Sequence, residues 1–299
     1  MMLTVVILSL FLISATVFSG YAVRKSVQER VSSVTDFVVS VEEDLPRMMF
    51  VFGFRAVYLE QVEIVSSGYI DDFPEFFEEA FFNETINGGA SLETQEILEG
   101  STYEDIITEF NERGSKLGVV VNFSEPHINI SQDDPWNLKV LFSANFTASD
   151  ANGLVSWNKT MEIVKYISIQ NFTDPLYVRN TNGEFNQRIV QSPYRVPFSD
   201  NSELSDQVDN AYYVNVNDAP SFIDRIEGDI SATGPNGIES LVDLDDLPDW
   251  VDRKQKSMVD HHYFSNVAYT DTCSGLSSLP SWFEIDRDKL VNTYGLTCP

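Results

Sequence analysis

The sequence predicts an α+β protein: a long N-terminal helix, transmembrane and then amphipathic, followed by short helices, an antiparallel β-sheet and an irregular α+β C-terminal portion. Three observations predict it. The chain opens on an uncharged apolar run, apolar residues then recur at helical spacing, and from Val119 their period drops to two. Five segments follow: a transmembrane anchor over residues 1–23, an amphipathic helical stalk over 24–68, a helical segment over 69–118, an antiparallel sheet over 119–175, and the irregular portion over 176–299.

The anchor comes first. Met1 to Val23 carries no charged side chain, and Arg24 and Lys25 close the run. At about 1.5 Å per residue this length crosses a hydrocarbon core of roughly 30 Å. Two readings stand, a retained anchor and a cleaved secretory signal with Gly20-Tyr21-Ala22 as its small-residue site. Orientation is contested as well. Arg24, Lys25 and Arg30 all follow the run, which taken alone puts the body in the cytoplasm. Six Asn-x-Ser/Thr sequons, at Asn83, Asn122, Asn129, Asn145, Asn158 and Asn171, favour a body outside the cell as glycosylation acceptors.

Helical spacing continues without a break. Val27, Val31, Val34, Val38, Val41 and Leu45 form one narrow stripe resembling a coiled-coil seam, a candidate surface for homo- or hetero-assembly. Pro46 interrupts it, and Asp44 is a cap candidate for a renewed helix through Met49, Phe52 and Leu59 to Gly68. Residues 3–67 thus read as one kinked helix, with two separate helices as the alternative. Two shorter helices follow. Asp72 and Pro74 precede the Phe76–Phe82 run, and Ser101 with Glu104 makes a capping box ahead of Ile106 and Phe110, ending at Gly118. The stretch Gly88 to Gly100 between them reads as a polar connection.

From Val119 the apolar set alternates: Val119, Val121 and Phe123, then Ile128 and Ile130, then Leu138 through Ala148. Asp150-Ala151-Asn152-Gly153 supplies a hairpin turn, and the chain returns over Leu154 to Ile169. Asn122, Asn129 and Asn145 fall on the solvent phase of these strands. Beyond Asp174, frequent prolines with Asn182-Gly183 and Asn236-Gly237 break the chain into short strands and loops, and Ser221 to Ile226 is the best helix candidate.

A formal charge of −27, from 19 Lys plus Arg against 46 Asp plus Glu, excludes nucleic acid as a default partner. With 21 Phe and 12 Tyr the chain has enough apolar surface for a packed core. Cys273 and Cys298, both in the last residues, suit one disulfide tying down the C-terminus, with two unrelated buried thiols as the alternative. Asp243, Asp245, Asp246 and Asp249 concentrate carboxylate oxygens and form a weak calcium candidate, since their spacing lacks the Gly and Glu of a twelve-residue loop. The histidines are His127 and the adjacent His261 and His262, whose rings at i, i+1 are expected to point apart. Asp260-His261 reads as a solvated or partly buried pair, and no Gly-x-Ser-x-Gly elbow accompanies it. No cofactor is expected.

The order of parts is similar to that of type IV pilin-like proteins. The segments SFIDRIEGDISATGPNGIESLV, DDPWNLKVLFSANFTASDANGLVSW and FTDPLYVRNTNG resemble those of archaeal membrane-anchored surface proteins. A glutamate a few residues inside the apolar run, usual in pilin-like proteins, has no counterpart in residues 3–23. The resemblance implies a non-enzymatic, single-pass protein of the cell membrane, its body extracellular, acting as a surface or filament-associated subunit. The alternatives are an adhesion module binding a ligand or glycan through the loops of 176–260, and an extracellular hydrolase built on Asp260 and His261. Removing residues 1–45 is expected to leave a soluble, folded body.

Overall fold

The computed structural model describes residues 2–251, 256–265 and 269–299. Met1 of the expected anchor and residues 252–255 of the expected recognition loops lie outside them. The class is α+β, as the patterning predicts. Helix α1 runs from Met2 to Ser66 with Pro46 inside it, so a single helix replaces the two-helix alternative. Asp44 does not cap a new helix there; its carboxylate takes an ion pair from Arg113 at 2.7 Å.

The chain forms two compact units that cut across the sequential segments: Met1–Met49, Glu99–Ile128 and Leu141–Val164 in one, Phe50–Leu98, Asn129–Val140 and Lys165–Pro299 in the other. In the first unit, α1 meets α4 (Tyr103–Leu117) and portions of strands β1 (Val119–Asp134), β2 (Asn137–Asp150) and β3 (Ser156–Ser168), ordered β1-β2-β3. Its core holds Val34, Phe37, Val38, Val41 and Leu45 of α1 with Ile106 and Phe110 of α4. Phe123 lies 6.0 Å from Phe110 and 4.9 Å from Phe146, ring centre to ring centre. Arg30–Asp150 at 2.5 Å and Lys159–Glu42 at 2.6 Å tie α1 to the strands.

This burial corrects the reading of the valine stripe as a seam left open until assembly. Val34, Val38, Val41 and Leu45 are covered by the chain's own body, whereas Val31 is 43% exposed and Val27 half-buried. It also corrects the expectation that removing residues 1–45 spares the body.

Two helix boundaries differ from expectation. The N-cap of α4 is Thr102, one residue beyond Ser101: its Oγ1 accepts from the Asp105 amide while the Asp105 carboxylate accepts from the Thr102 amide. The shorter aspartate carboxylate closes the box as a Glu would. A further helix, α3 (Leu92–Leu98), occupies the stretch read as a polar connection, with Ser91 Oγ accepting from the Thr94 amide. Helix α2 (Phe73–Asn83) starts at the Asp72 cap as expected.

The strands keep the alternation read from the sequence. The switch from buried Val119, Val121 and Phe123 to buried Ile128 and Ile130 has a local cause: Glu125 adopts a left-handed backbone (φ 52°), which shifts the faces by one residue.

In the second unit, α1 from Phe50 and α2 share an aromatic core, with Phe52 4.9 Å from Phe77 and 4.7 Å from Phe81. Gly53 permits the close approach of α1 to the sheet, since a Cβ there would stand 2.3 Å from Ile167 Cδ1. The C-terminal portion builds its own core around Leu204, Val208, Val242, Met258, Phe283, Ile285 and Tyr294. Its elements are α5 (Pro175–Asn180), α6 (Asn201–Asp209), β4 (Tyr213–Asn215), α7 (Phe222–Glu227), β5 (Ile238–Ser240), α8 (Asp260–Phe264), β6 (Thr272–Ser274) and β7 (Glu284–Asp286), with a π-helical turn Lys289–Thr293. Strands β4 and β5 pair antiparallel, as do β6 and β7. Helix α7 begins at the predicted Ser221, whereas α5, α6 and α8 fall where short strands and loops were expected. Each is under three turns, too short to show apolar periodicity. Cys273 and Cys298 form a disulfide, Cα to Cα 5.5 Å, in place of two separate thiols.

Candidate functional site

The second unit buries a charged network that none of the sequence motifs announced. Asp174 caps α5 through Oδ1, which accepts from the Leu176 amide at 2.8 Å, and turns Oδ2 toward the Tyr213 hydroxyl and Arg225 Nη1, both at 2.7 Å. Arg225 rides on α7, held in place by the Ser221–Asp224 capping box and by Gly228 in a left-handed C-cap. The same Nη1 donates to Asp260 Oδ2 at 3.0 Å, and Nη2 donates to Asp260 Oδ1 at 3.3 Å and to the Ile238 carbonyl. Register between β4 and β5 sets Tyr213 opposite Ser240. The Ser240 hydroxyl donates to Asp260 Oδ2 at 2.9 Å and lies 3.0 Å from the Tyr177 hydroxyl.

A second cluster adjoins it on the neighbouring residue of β5. Glu239 accepts from Lys289 Nζ at 2.5 Å and from the Tyr294 hydroxyl at 2.7 Å, and Lys289 also pairs with half-exposed Asp218 at 2.8 Å. Asp174, Arg225, Glu239 and Asp260 have no solvent exposure at all. Burial alone pushes the Asp260 carboxyl up, but the Arg225 charge and the His261 and Arg225 hydrogen bonds outweigh it and hold Asp260 well below the usual carboxylate range. Asp174 goes the other way, because its burial and the like charge of Asp260 exceed the pull of Arg225. Glu60 of α1 is equally buried, its two carboxylate oxygens lack hydrogen-bond partners among the described residues, and burial followed by the Asp174 charge raises its pKa well above the ordinary value.

The Ser240 proton is committed to a carboxylate and not to an imidazole, and His261 Nε2 has no hydrogen-bond partner among the described residues. Asp260 and His261 are both buried, which corrects the reading of the pair as solvated or partly buried. His261 Nδ1 lies 3.1 Å from Asp260 Oδ1, and His262 Nδ1 lies 3.0 Å from Asp286 Oδ2. Their rings do not splay: the centres are 4.3 Å apart, edge to face, because both sit in the single turn of α8. His127 is exposed on β1.

Above the network lies a groove of about 290 Å³, among whose lining residues are Trp136, Gln191, Tyr194, Arg195, Tyr213 and Asn215. Its floor is tied to the network through the Tyr213 hydroxyl. Pairing of residues 190–192 with β4 brings Gln191 beside Tyr213: the Ser192 amide donates to the Tyr213 carbonyl and the Tyr213 amide to the Val190 carbonyl, both at 2.8 Å. Tyr194 is fixed by its hydroxyl, which donates to Asp206 at 2.8 Å.

The other predicted site residues lie apart from it. Asp243 accepts from the Asp245 amide at 2.8 Å within its own loop and Asp245 from the distant Trp282 Nε1 at 3.2 Å, so two of the four clustered carboxylates hold protein donors, and Asp246 and Asp249 are exposed. Among the described residues no group of three or more His, Cys, Asp or Glu side chains is arranged to hold a metal ion. Asn83, Asn122, Asn158 and Asn171 are exposed, and Asn129 and Asn145 half-buried. Asn145 Nδ2 donates to Glu125 at 2.9 Å.

Sequence reasoning missed Asp174, Arg225, Glu239, Lys289 and Glu60. A signal existed for two of them: Arg225 shares a helical face with Phe222 and Ile226, and Glu60 continues the four-residue spacing of Phe52, Ala56 and Ile64. Compared with known protein families, with characterised proteins and with solved structures, the chain matches none.

Proposed function

We propose that this chain is a non-enzymatic, single-pass membrane protein whose body is displayed outside the cell, a pilin-like surface or filament-associated subunit. One observation carries the reading. Helix α1 is continuous from an apolar portion, long and hydrophobic enough to cross a membrane and exposed at every described side chain from Ile7 to Tyr21, into a portion packed within the body. A contiguous apolar surface of that size on a protein in water is a lipid- or partner-facing surface. The disulfide and six sequons whose asparagines all avoid full burial are in keeping with an extracellular body.

The test is protease treatment of intact cells expressing the full chain. The body should be digested from outside while the anchor stays in the membrane fraction, and peptides spanning the sequons should carry glycan mass. A body digested only after lysis would overturn the orientation. The assembly part concerns Val31, the exposed member of the valine stripe. Val31→Cys should give a crosslinked dimer in membranes on mild oxidation, and its absence would leave an anchored monomer instead of a filament subunit.

A further inference from the structure

We infer that the groove lined by Trp136, Gln191, Tyr194, Arg195 and Asn215 binds a saccharide that carries a carboxylate, of the uronic acid class. The inference goes beyond the anchored-surface reading, and none of its steps depends on where the body sits.

The groups that line the groove have unequal commitments. Ser192 is spent on structure, its hydroxyl donating to Gln207 at 2.7 Å and accepting from the Tyr194 amide at 3.1 Å. Gln191 accepts through Oε1 from Gln170 at 3.4 Å, which leaves its Nε2 to donate. Asn215 donates from Nδ2 to the carbonyls of Pro235 at 3.0 Å and Gly237 at 2.8 Å, which leaves its Oδ1 to accept. A donor and an acceptor lining one small groove suit a polyol, whose hydroxyls need both. The half-buried aromatic rings of Trp136 and Tyr194 supply the flat apolar surface on which the C–H face of a pyranose rests. A volume of about 290 Å³ sits at the lower end for ligand sites, the scale of a single ring and not of a folded partner.

Arg195 sets the charge. In a chain with 46 Asp plus Glu to 19 Lys plus Arg, its guanidinium makes no ion pair with any of the described residues, while Asp206 nearby is held by Tyr194 and Asn210. A planar fork of donors matches a sugar carboxylate in two parallel hydrogen bonds. Charge farther than about 8 Å is screened at physiological salt, and the nearer Asp206 carboxylate is engaged by the Tyr194 hydroxyl and the Asn210 amide. The rigid floor, Tyr213 locked to Asp174, costs no ordering when the ring docks.

The test is calorimetric titration of the full chain in a non-glycosidic detergent with three probes: trigalacturonic acid, its neutral counterpart galactotriose, and triglutamate. Trigalacturonate should bind, and Trp136→Ala and Arg195→Gln should each weaken it on the order of tenfold to a hundredfold with the thermal midpoint unchanged. Arg195→Lys keeps the charge without the fork and should recover part of the loss. Equal binding of galactotriose would overturn the role of Arg195, and equal binding of triglutamate would overturn the saccharide assignment. No heat from any probe at millimolar concentration would overturn the site.

Discussion

Replacing Arg225 by Met should destabilise the C-terminal unit more than any other single change in the network. Arg225 is buried among two carboxylates, at 2.7 Å from Asp174 and 3.0 Å from Asp260. Removing it strands Asp260 as a buried charge with no counterion, a change that typically costs about 3–5 kcal/mol. For a unit of this size that is roughly a 10 °C fall in thermal midpoint. The two carboxylates are unequal. Asp260 is held below the usual range and is the ionic partner, so Asp260→Asn should approach the cost of Arg225→Met. The Asp174 carboxyl is raised by burial and by the like charge of Asp260, so its charged form is less favoured and Asp174→Asn should cost less. The pH dependence has a definite sign. A depressed carboxyl contributes stability above its unfolded pKa of about 3.9 and loses it as pH falls through its folded value. Acid unfolding below about pH 4 should therefore flatten in Asp260→Asn. Thermal unfolding followed by near-ultraviolet circular dichroism from pH 3 to 8 reads all three variants. An Arg225→Met midpoint equal to wild type, or an Asp174→Asn penalty above that of Asp260→Asn, would refute the assignment.

Glu60→Met should stabilise the fold by about 1–3 kcal/mol at neutral pH, since it removes a buried carboxyl with no hydrogen-bond partner among the described residues. The folded pKa of Glu60 is raised, so its contribution is intact below about pH 4.3 and lost as pH rises; the gain should grow with pH, and a pH-independent difference would contradict the buried-acid account. Removing residues 1–24 should give a soluble folded body, whereas removing 1–45 also deletes Val34, Phe37, Val38, Val41 and Leu45, all 3% exposed or less. That loss is on the order of 10 kcal/mol of apolar burial, enough to unfold the first unit, which solubility and amide exchange would report. Cys298→Ser opens a loop with a sequence separation of 25 and should cost about 3 kcal/mol, read as a lower midpoint that reductant reproduces in the wild type.

The groove brings together residues from distant stretches. Trp136 comes from the turn between β1 and β2, Gln191 to Arg195 from an irregular stretch, and Tyr213 and Asn215 from a three-residue strand. No sequence window holds more than a fragment of it. The loops of residues 176–260 were expected to recognise a ligand, and they supply most of the groove, but its indole lies outside them.

The sequence by itself determined the elements whose signal is local and repeated: the apolar run, the helical stripe into α1, the capped α2 and α7, and the alternating strands. In those, each residue's environment follows from the period of its own element. Tertiary structure decided which face of α1 the body covers, where the compact units divide, and that Arg225, Asp174 and Asp260 meet in the interior. Such a network depends on three short elements arriving at one point. A charged side chain written in sequence reads as solvent-facing until its counterion, dozens of residues away, is seen beside it.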